Sequence, residues 1–254
     1  MKRRNYKHYV RKSHRYLGIF IGIQFFLWTL GGLYFSWTNL DEIHGDHLNH
    51  KSAPIVETAA MISPSEALSS NASECKSPDL RSLRIVSILG DTFYAVACDD
   101  GSGQKTHLLI STKDGKRRES LSESDARSVA AASMHEQRPI KSVELITDDT
   151  MGRHHEYREK PMPAWAVTFD GPEEPTAYVA ATDGQIHAMR TTGWRVFDFL
   201  WMLHTMDFAG RDNINNYVLR AFSVLGIVTV MSGFLLFAVS SKSLRRIFQA
   251  KKIR

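Results

Sequence analysis

The chain has 254 residues, 43% of them hydrophobic, and 32 Lys and Arg against 27 Asp and Glu give a net charge of +5. A basic balance spread over one face would fit a nucleic-acid binder. Here it is confined to the two ends, which excludes that footprint: Lys2, Arg3, Arg4, Lys7, Arg11, Lys12 and Arg15 precede every acid, and Lys242, Arg245, Arg246, Lys251, Lys252 and Arg254 follow every acid. All 27 carboxylates lie between Asp41 and Asp212, where 18 Lys and Arg leave a local balance of −9.

In chain order, the basic N-terminus (1–15) leads into an apolar run from Tyr16 to Trp37, and a second apolar run spans Val218 to Val239. Each is about 20 residues, the length an α-helix needs to cross a hydrocarbon core. Lysine and arginine are retained on the cytoplasmic side, so both termini are expected there, with the acidic middle outside. The basic flanks also attract anionic lipid headgroups. The first run is longer than the apolar core of a signal peptide and no A-x-A-like site follows it. Phe35, Ser36, Trp37 and Thr38 look like an interfacial aromatic belt, and the segment reads as an anchor.

About 178 residues separate the spans, enough for one sizeable core or two small ones. Ser63-Pro64-Ser65-Glu66-Ala67 opens a helix with Ser63 as N-cap and Glu66 at capping-box spacing, and Ser122-Glu123-Ser124-Asp125-Ala126 repeats that start, continuing to Met134. Extended runs follow each helix: Leu83–Leu89, Thr92–Cys98 and Lys105–Thr112 in the first unit, then Ile140–Thr147, Ala164–Asp170 and Thr176–Thr182 in the second. Asp114-Gly115 and Asp183-Gly184 supply the positive φ of tight turns, and Asp99–Gly103 reads as a hairpin loop. The polar insertion Asp148–Pro163, with His154-His155, reads as a surface loop. The expected order is a juxtamembrane loop with the first unit (39–121), the second unit (122–192), a juxtamembrane segment (193–216), the second span (217–239) and a basic C-terminus (240–254). Cys75 and Cys98 both fall in the middle region. An oxidising compartment permits them to pair, closing a loop of about 24 residues for roughly 3 kcal/mol, and two buried free thiols are the alternative.

A helix followed by strands, in tandem, between membrane helices resembles the PepSY-domain transmembrane proteins. The motifs that carry the resemblance are His14-Arg15-Tyr16-Leu17-Gly18, Leu203-His204-Thr205, and Ser232-Gly233 in the second span. It implies an α+β fold in which two transmembrane helices flank an extracytoplasmic tandem of PepSY-like helix-plus-antiparallel-sheet units. It also implies a bacterial inner membrane, with the central domain periplasmic. That family includes iron-regulated membrane proteins, ferric-siderophore reductases with haem between their helices, and modules proposed to restrain peptidases. Its reductase-type members usually have four or more helices, against two here.

Eleven histidines are present. His44, His47 and His50 cluster just after the first span, and His204 lies shortly before the second, so these groups are expected at the same membrane edge. Imidazole is the commonest neutral nitrogen ligand for iron, zinc and copper and an axial haem ligand. His44, His47 and His204 are therefore candidate metal or haem ligands, with Asp41, Asp46 or Asp207 orienting a ring, while His50 reads as a surface residue. His14 is a further candidate haem ligand at the other end of the span. His14 and His204 would stand a bilayer apart, so each would need a second ligand, which a homodimer can supply for His14.

Gln24, Thr29, Thr229 and Ser232 are the polar side chains expected inside the membrane, and Gly18 and Gly22 form a small-xxx-small pair that suits a tight helix pair or a dimer seam. No ionisable residue stands at mid-depth, which argues against a transporter, and no G-x-S-x-G or H-E-x-x-H motif points to hydrolysis. Two readings remain. The one that the large exterior and minimal anchor favour is an anchored binding or accessory protein, in the iron-uptake setting that the resemblance implies, holding a protein partner on its hairpin edges. The other is a haem b or iron-binding electron-transfer subunit. The expected partners are membrane lipid, a protein at the external domain and a second copy, with no nucleic acid.

Overall fold

The computed structural model describes residues 6–50, 61–75, 79–99 and 105–241. Lys2, Arg3 and Arg4, the loop residues Asp100–Gly103 and the basic C-terminus from Lys242 lie outside them. The chain forms two compact units, one of Met1–Thr38 with Phe197–Arg254 and one of Asn39–Val196.

The helix unit is built on α1 (Tyr6–Trp37) and α6 (Tyr217–Ser240). Both are long and apolar enough to cross a membrane. The 32 residues of α1 span about 48 Å. The helix starts ten residues before the apolar stretch, because Lys, Arg and Tyr sustain a helix and no proline interrupts them. α6 starts at Asn216, whose side chain accepts from the Leu219 N–H. The two helices run antiparallel, with the Phe20 and Phe222 ring centroids 5.4 Å apart and Phe25 against Gly226. A Cβ at Gly226 would stand 3.3 Å from the Phe25 ring, so glycine permits that approach.

A third helix, α5 (Thr192–Thr205), was not expected from the sequence, and its residues from Phe197 belong to this unit. The Leu203 carbonyl accepts from Trp28 Nε1 at 3.4 Å and Gln24 Nε2 at 3.5 Å, which lays the end of α5 along the middle of α1. Asn216 Nδ2 donates to the Thr205 carbonyl at 2.9 Å, so α6 begins beside the end of α5. The intervening loop is knotted around Asp207, which accepts from the N–H groups of Ala209, Gly210 and Asn213. Burial pushes the Asp207 carboxyl up, but these backbone donors outweigh it and hold it below the ordinary carboxylate range. Asp198 on α5 is paired with Arg211 of the same loop.

The sheet unit holds two four-stranded antiparallel meanders, in the orders β1-β2-β3-β4 and β5-β6-β7-β8. The first comprises β1 (Leu80–Ile88), β2 (Asp91–Asp99), β3 (Lys105–Ser111) and β4 (Arg117–Arg118). The second comprises β5 (Ile140–Ile146), β6 (Ala164–Phe169), β7 (Thr176–Ala180) and β8 (Ile186–Arg190). The six runs read from the sequence match six of these strands, and each meander adds a fourth after its Asp-Gly turn. Before the sheets come α2 (Leu40–Ile43), a 3₁₀ turn (Asp46–Leu48) and α3 (Pro64–Ser70). Helix α4 (Glu123–Ser133) lies between the meanders in sequence. Ser122 and Asp125 make both halves of a capping box, whereas at Ser63 only the serine half is present.

Alternation along the strands sorts the side chains into three cores. Ala67 of α3 packs with Tyr94, Val96, Leu108 and Ile110 on one face of the first sheet. Its other face shares a core with α4 and the second sheet, through Ile88, Phe93, Leu109, Ala126, Ala130, Val167, Phe169 and Val179. On the far face of the second sheet, Tyr178, Ala164 and Ala188 pack against Tyr157. Gly184, at φ +68, brings the β7–β8 turn so close to β1 that a Cβ there would lie 2.6 Å from Ile88 Cδ1. Two α-helical spans around two antiparallel sheets make an α+β fold, as expected.

Tyr157 belongs to the Asp148–Pro163 insertion, which is irregular but anchored. Its ring is fully buried and stacks on Tyr178 at 4.7 Å. The neighbouring Glu156, read from the sequence as solvated, accepts from Arg195 Nε at 2.7 Å, Arg195 Nη2 at 2.9 Å and the Tyr178 hydroxyl at 2.8 Å. Cys75 and Cys98 are joined as a disulfide with Cα atoms 5.9 Å apart, tying the segment after α3 to β2.

Candidate functional site

Two histidines of the helix unit have the surroundings of ligands. His14, half-buried on α1, shares a hydrogen bond between its Nδ1 and Ser232 Oγ at 2.7 Å. Ser232 carries a single proton, and its hydroxyl donates at 2.7 Å to the Thr229 carbonyl one turn back on α6. With the serine proton on the Thr229 carbonyl, the serine oxygen accepts and His14 Nδ1 donates. In that arrangement the imidazole is the tautomer whose Nε2 lone pair is free. A ring N–H held by a neighbour while the other nitrogen stays open is the arrangement that metal-ligating histidines use. Gly233 completes the seat: a Cβ there would stand 3.2 Å from the His14 ring. Ser232 lies eight residues from the end of α6, about 12 Å along it, so His14 meets α6 within its length.

His204, in the last turn of α5, is walled by aromatic rings. Their centroids lie 5.6 Å away for Trp28, 5.9 Å for Phe35 and 6.1 Å for Trp201, the last nearly parallel. Its Nδ1 is buried and has no hydrogen-bond partner. A buried unpaired ring nitrogen costs free energy unless something satisfies it. His14 and Trp28 are 14 residues apart on one straight helix, about 21 Å. One group cannot be held by both histidines of a single chain. Any group held at either place is held by that imidazole separately.

The remaining expected ligands lie in the sheet unit. His44 is the exposed C-cap residue of α2. His47, in the 3₁₀ turn, places Nε2 3.7 Å from Glu173 Oε2. Among the described residues, neither unit gathers three or more His, Cys, Asp or Glu side chains closely enough to hold a metal ion. The sequence reading missed the role of Ser232 in setting the His14 tautomer. The serine was visible as an intramembrane polar residue, but its partner depends on how α1 and α6 pack.

The sequence model of the PepSY-associated TM region matches residues 1–242, nearly the whole chain. The chain belongs to the PepSY-associated TM family. It is therefore a membrane protein of that family with two candidate spans. Among curated proteins and solved structures, none matches it. Of the histidines in the helix unit, His14 has the fuller set of neighbours for holding a group. Its Nδ1 has a partner in Ser232, and a glycine stands against its ring.

Proposed function

We propose that this chain is a haem b-carrying electron-transfer subunit of the inner membrane, serving an iron-uptake system, with its sheet unit on the periplasmic side. The single observation that supports it is the Thr229–Ser232–His14 relay, which leaves Nε2 of His14 as a ligand nitrogen in a helix seam. Haem, when bound, supplies a one-electron carrier between the two faces of the membrane. His14 would hold the haem on the cytoplasmic side, and His204, inside its aromatic wall, would hold one towards the periplasm. Ser232 orients His14; Trp28, Phe35 and Trp201 keep water from His204. A second copy of the chain supplies the second imidazole at each level. The charge pattern supports this orientation, since both basic termini belong on the cytoplasmic side and the acidic middle outside.

A second reading, an anchored accessory protein that holds a partner, has its own support in β1. Among the described strands this nine-residue strand pairs on one side only, with β2, and an added strand could extend it beyond the part that Gln185 reaches at Ser87.

An absorption spectrum of the detergent-purified protein from haem-replete cells, oxidised and then dithionite-reduced, separates the two. A Soret band that sharpens on reduction, with α and β bands, is expected, and it should be lost in His14→Ala and diminished in His204→Ala without loss of folded protein. A protein without Soret absorption or bound iron would sink the redox reading and leave the accessory one.

A further inference from the structure

The segment that follows the 3₁₀ turn and the segment that follows α4 meet as a single antiparallel bridge in the sheet unit, with Asn49 opposite Met134. The His50 N–H donates to the Ser133 carbonyl at 2.8 Å, and the His135 N–H donates to the Leu48 carbonyl at 3.0 Å. Those two bonds set the register so that His50 and His135 are diagonal neighbours, each one residue beyond the bridging pair. Diagonal neighbours leave the same face of an antiparallel pair. Their rings accordingly meet edge to face with centroids 3.7 Å apart. Both side chains are exposed, so the pair is open to solutes.

We propose that His50 and His135 form a bidentate chelate for a divalent first-row metal ion, of the copper or zinc type. Imidazole is the side chain that these borderline ions prefer, and a two-nitrogen site completed by water favours copper over zinc. The backbone bonds at both residues hold the chelate in place before the ion arrives, which reduces the ordering that binding must impose. One further feature fits a hydrated ion here. A cleft of about 280 Å³ opens beside His135, walled by His47, Met134, Glu136, Arg138 and Glu173, with room for those waters. The two carboxylates outnumber the one arginine on its walls. The site is independent of the haem proposal, since it lies in the other unit and uses none of the same histidines.

The test is a calorimetric titration of the full-length, detergent-purified protein with Cu²⁺ and separately with Zn²⁺. The protein is made without a polyhistidine tag and stripped by a chelator first. One ion per chain is expected, bound tighter for Cu²⁺ than for Zn²⁺ and more weakly at pH 5.5 than at pH 7.5, because imidazole ligates only when neutral. His50→Ala and His135→Ala should each weaken that event by more than the roughly 10–100-fold that losing an outer-shell partner costs. The double variant should be at least as weak as either single one. Metal should raise the melting temperature of the unaltered protein and leave both variants where they are without it. Titration curves that are the same for the unaltered protein and the double variant, with both folded by circular dichroism, would overturn the proposal. So would a site lost in His47→Ala but kept in His50→Ala.

Discussion

Arg84 Nη2, on the edge strand of the first sheet, donates at 2.9 Å to Asp183 Oδ2, in the β7–β8 turn of the second. Asp183 is buried and also accepts from His187 Nε2 at 2.9 Å and from the Gln185 N–H at 3.0 Å. Gln185 Nε2 in turn reaches the Ser87 carbonyl of β1 at 3.3 Å. One carboxylate thus fastens two meanders that share a core.

Burial pushes the Asp183 carboxyl up, but the hydrogen bond and charge of His187, the Gln185 backbone and Arg84 prevail and hold it below the ordinary carboxylate range. A carboxyl depressed in the folded state contributes stability that is complete above its unfolded value, about 3.9, and is lost as pH falls through the folded value. Urea unfolding should therefore show stability falling below about pH 4. Asp183→Asn should cost about 2 kcal/mol at pH 7 and flatten that acid limb. An acid limb of equal slope in the variant would place the titration elsewhere.

Tyr157 anchors the 148–163 insertion by its buried ring and by a hydroxyl that donates to the Pro161 carbonyl at 2.9 Å. Tyr157→Phe removes only the hydrogen bond and should cost about 1 kcal/mol. Tyr157→Ala also empties the space against Tyr178 and should cost about 3–5 kcal/mol. Limited proteolysis within the insertion should speed up in the alanine variant alone.

The Cys75–Cys98 bridge closes a sequence separation of 23 residues. Denatured, unreduced protein should take up no thiol reagent. Replacing both cysteines by serine should lower stability by about 3 kcal/mol, as read from chemical unfolding. The spectrum of bound haem should be unaffected.

Ser232→Ala frees His14 Nδ1 and lets the ring rotate or change tautomer. Haem affinity should fall by roughly 10–100-fold, the usual effect of removing a ligand's orienting partner. Ser232→Thr, which keeps the hydroxyl, should restore it. Haem transfer to apomyoglobin measures both.

The spans were legible because about 20 successive apolar residues have no other common fate. Six strands were legible from their β-branched and aromatic residues and from the Asp-Gly turns. β8 was passed over because the turn at Asp183-Gly184 was read as an end, although Ile186–Arg190 follows it directly. β4 is two arginines, too short and charged to announce a strand. Helix α5 escaped notice because Phe197–Met202 is too short for a span, and its one acid, Asp198, is neutralised by Arg211 through the fold. His135 carries no local signal at all, since its neighbour His50 is brought to it only by the bridge at Asn49 and Met134.

The Leu203 carbonyl lies level with Gln24 and Trp28, and α6 starts beside the end of α5. The nine residues of α1 beyond Trp28, about 14 Å of helix, therefore rise past the start of α6. Leu30, Leu33 and Trp37 on that projection are exposed. A bilayer cannot match both helices at one thickness. It must tilt the pair or deform around it, at a fraction of a kcal/mol for each ångström of mismatch. Lipids of different chain length should therefore change the tilt of the helix unit.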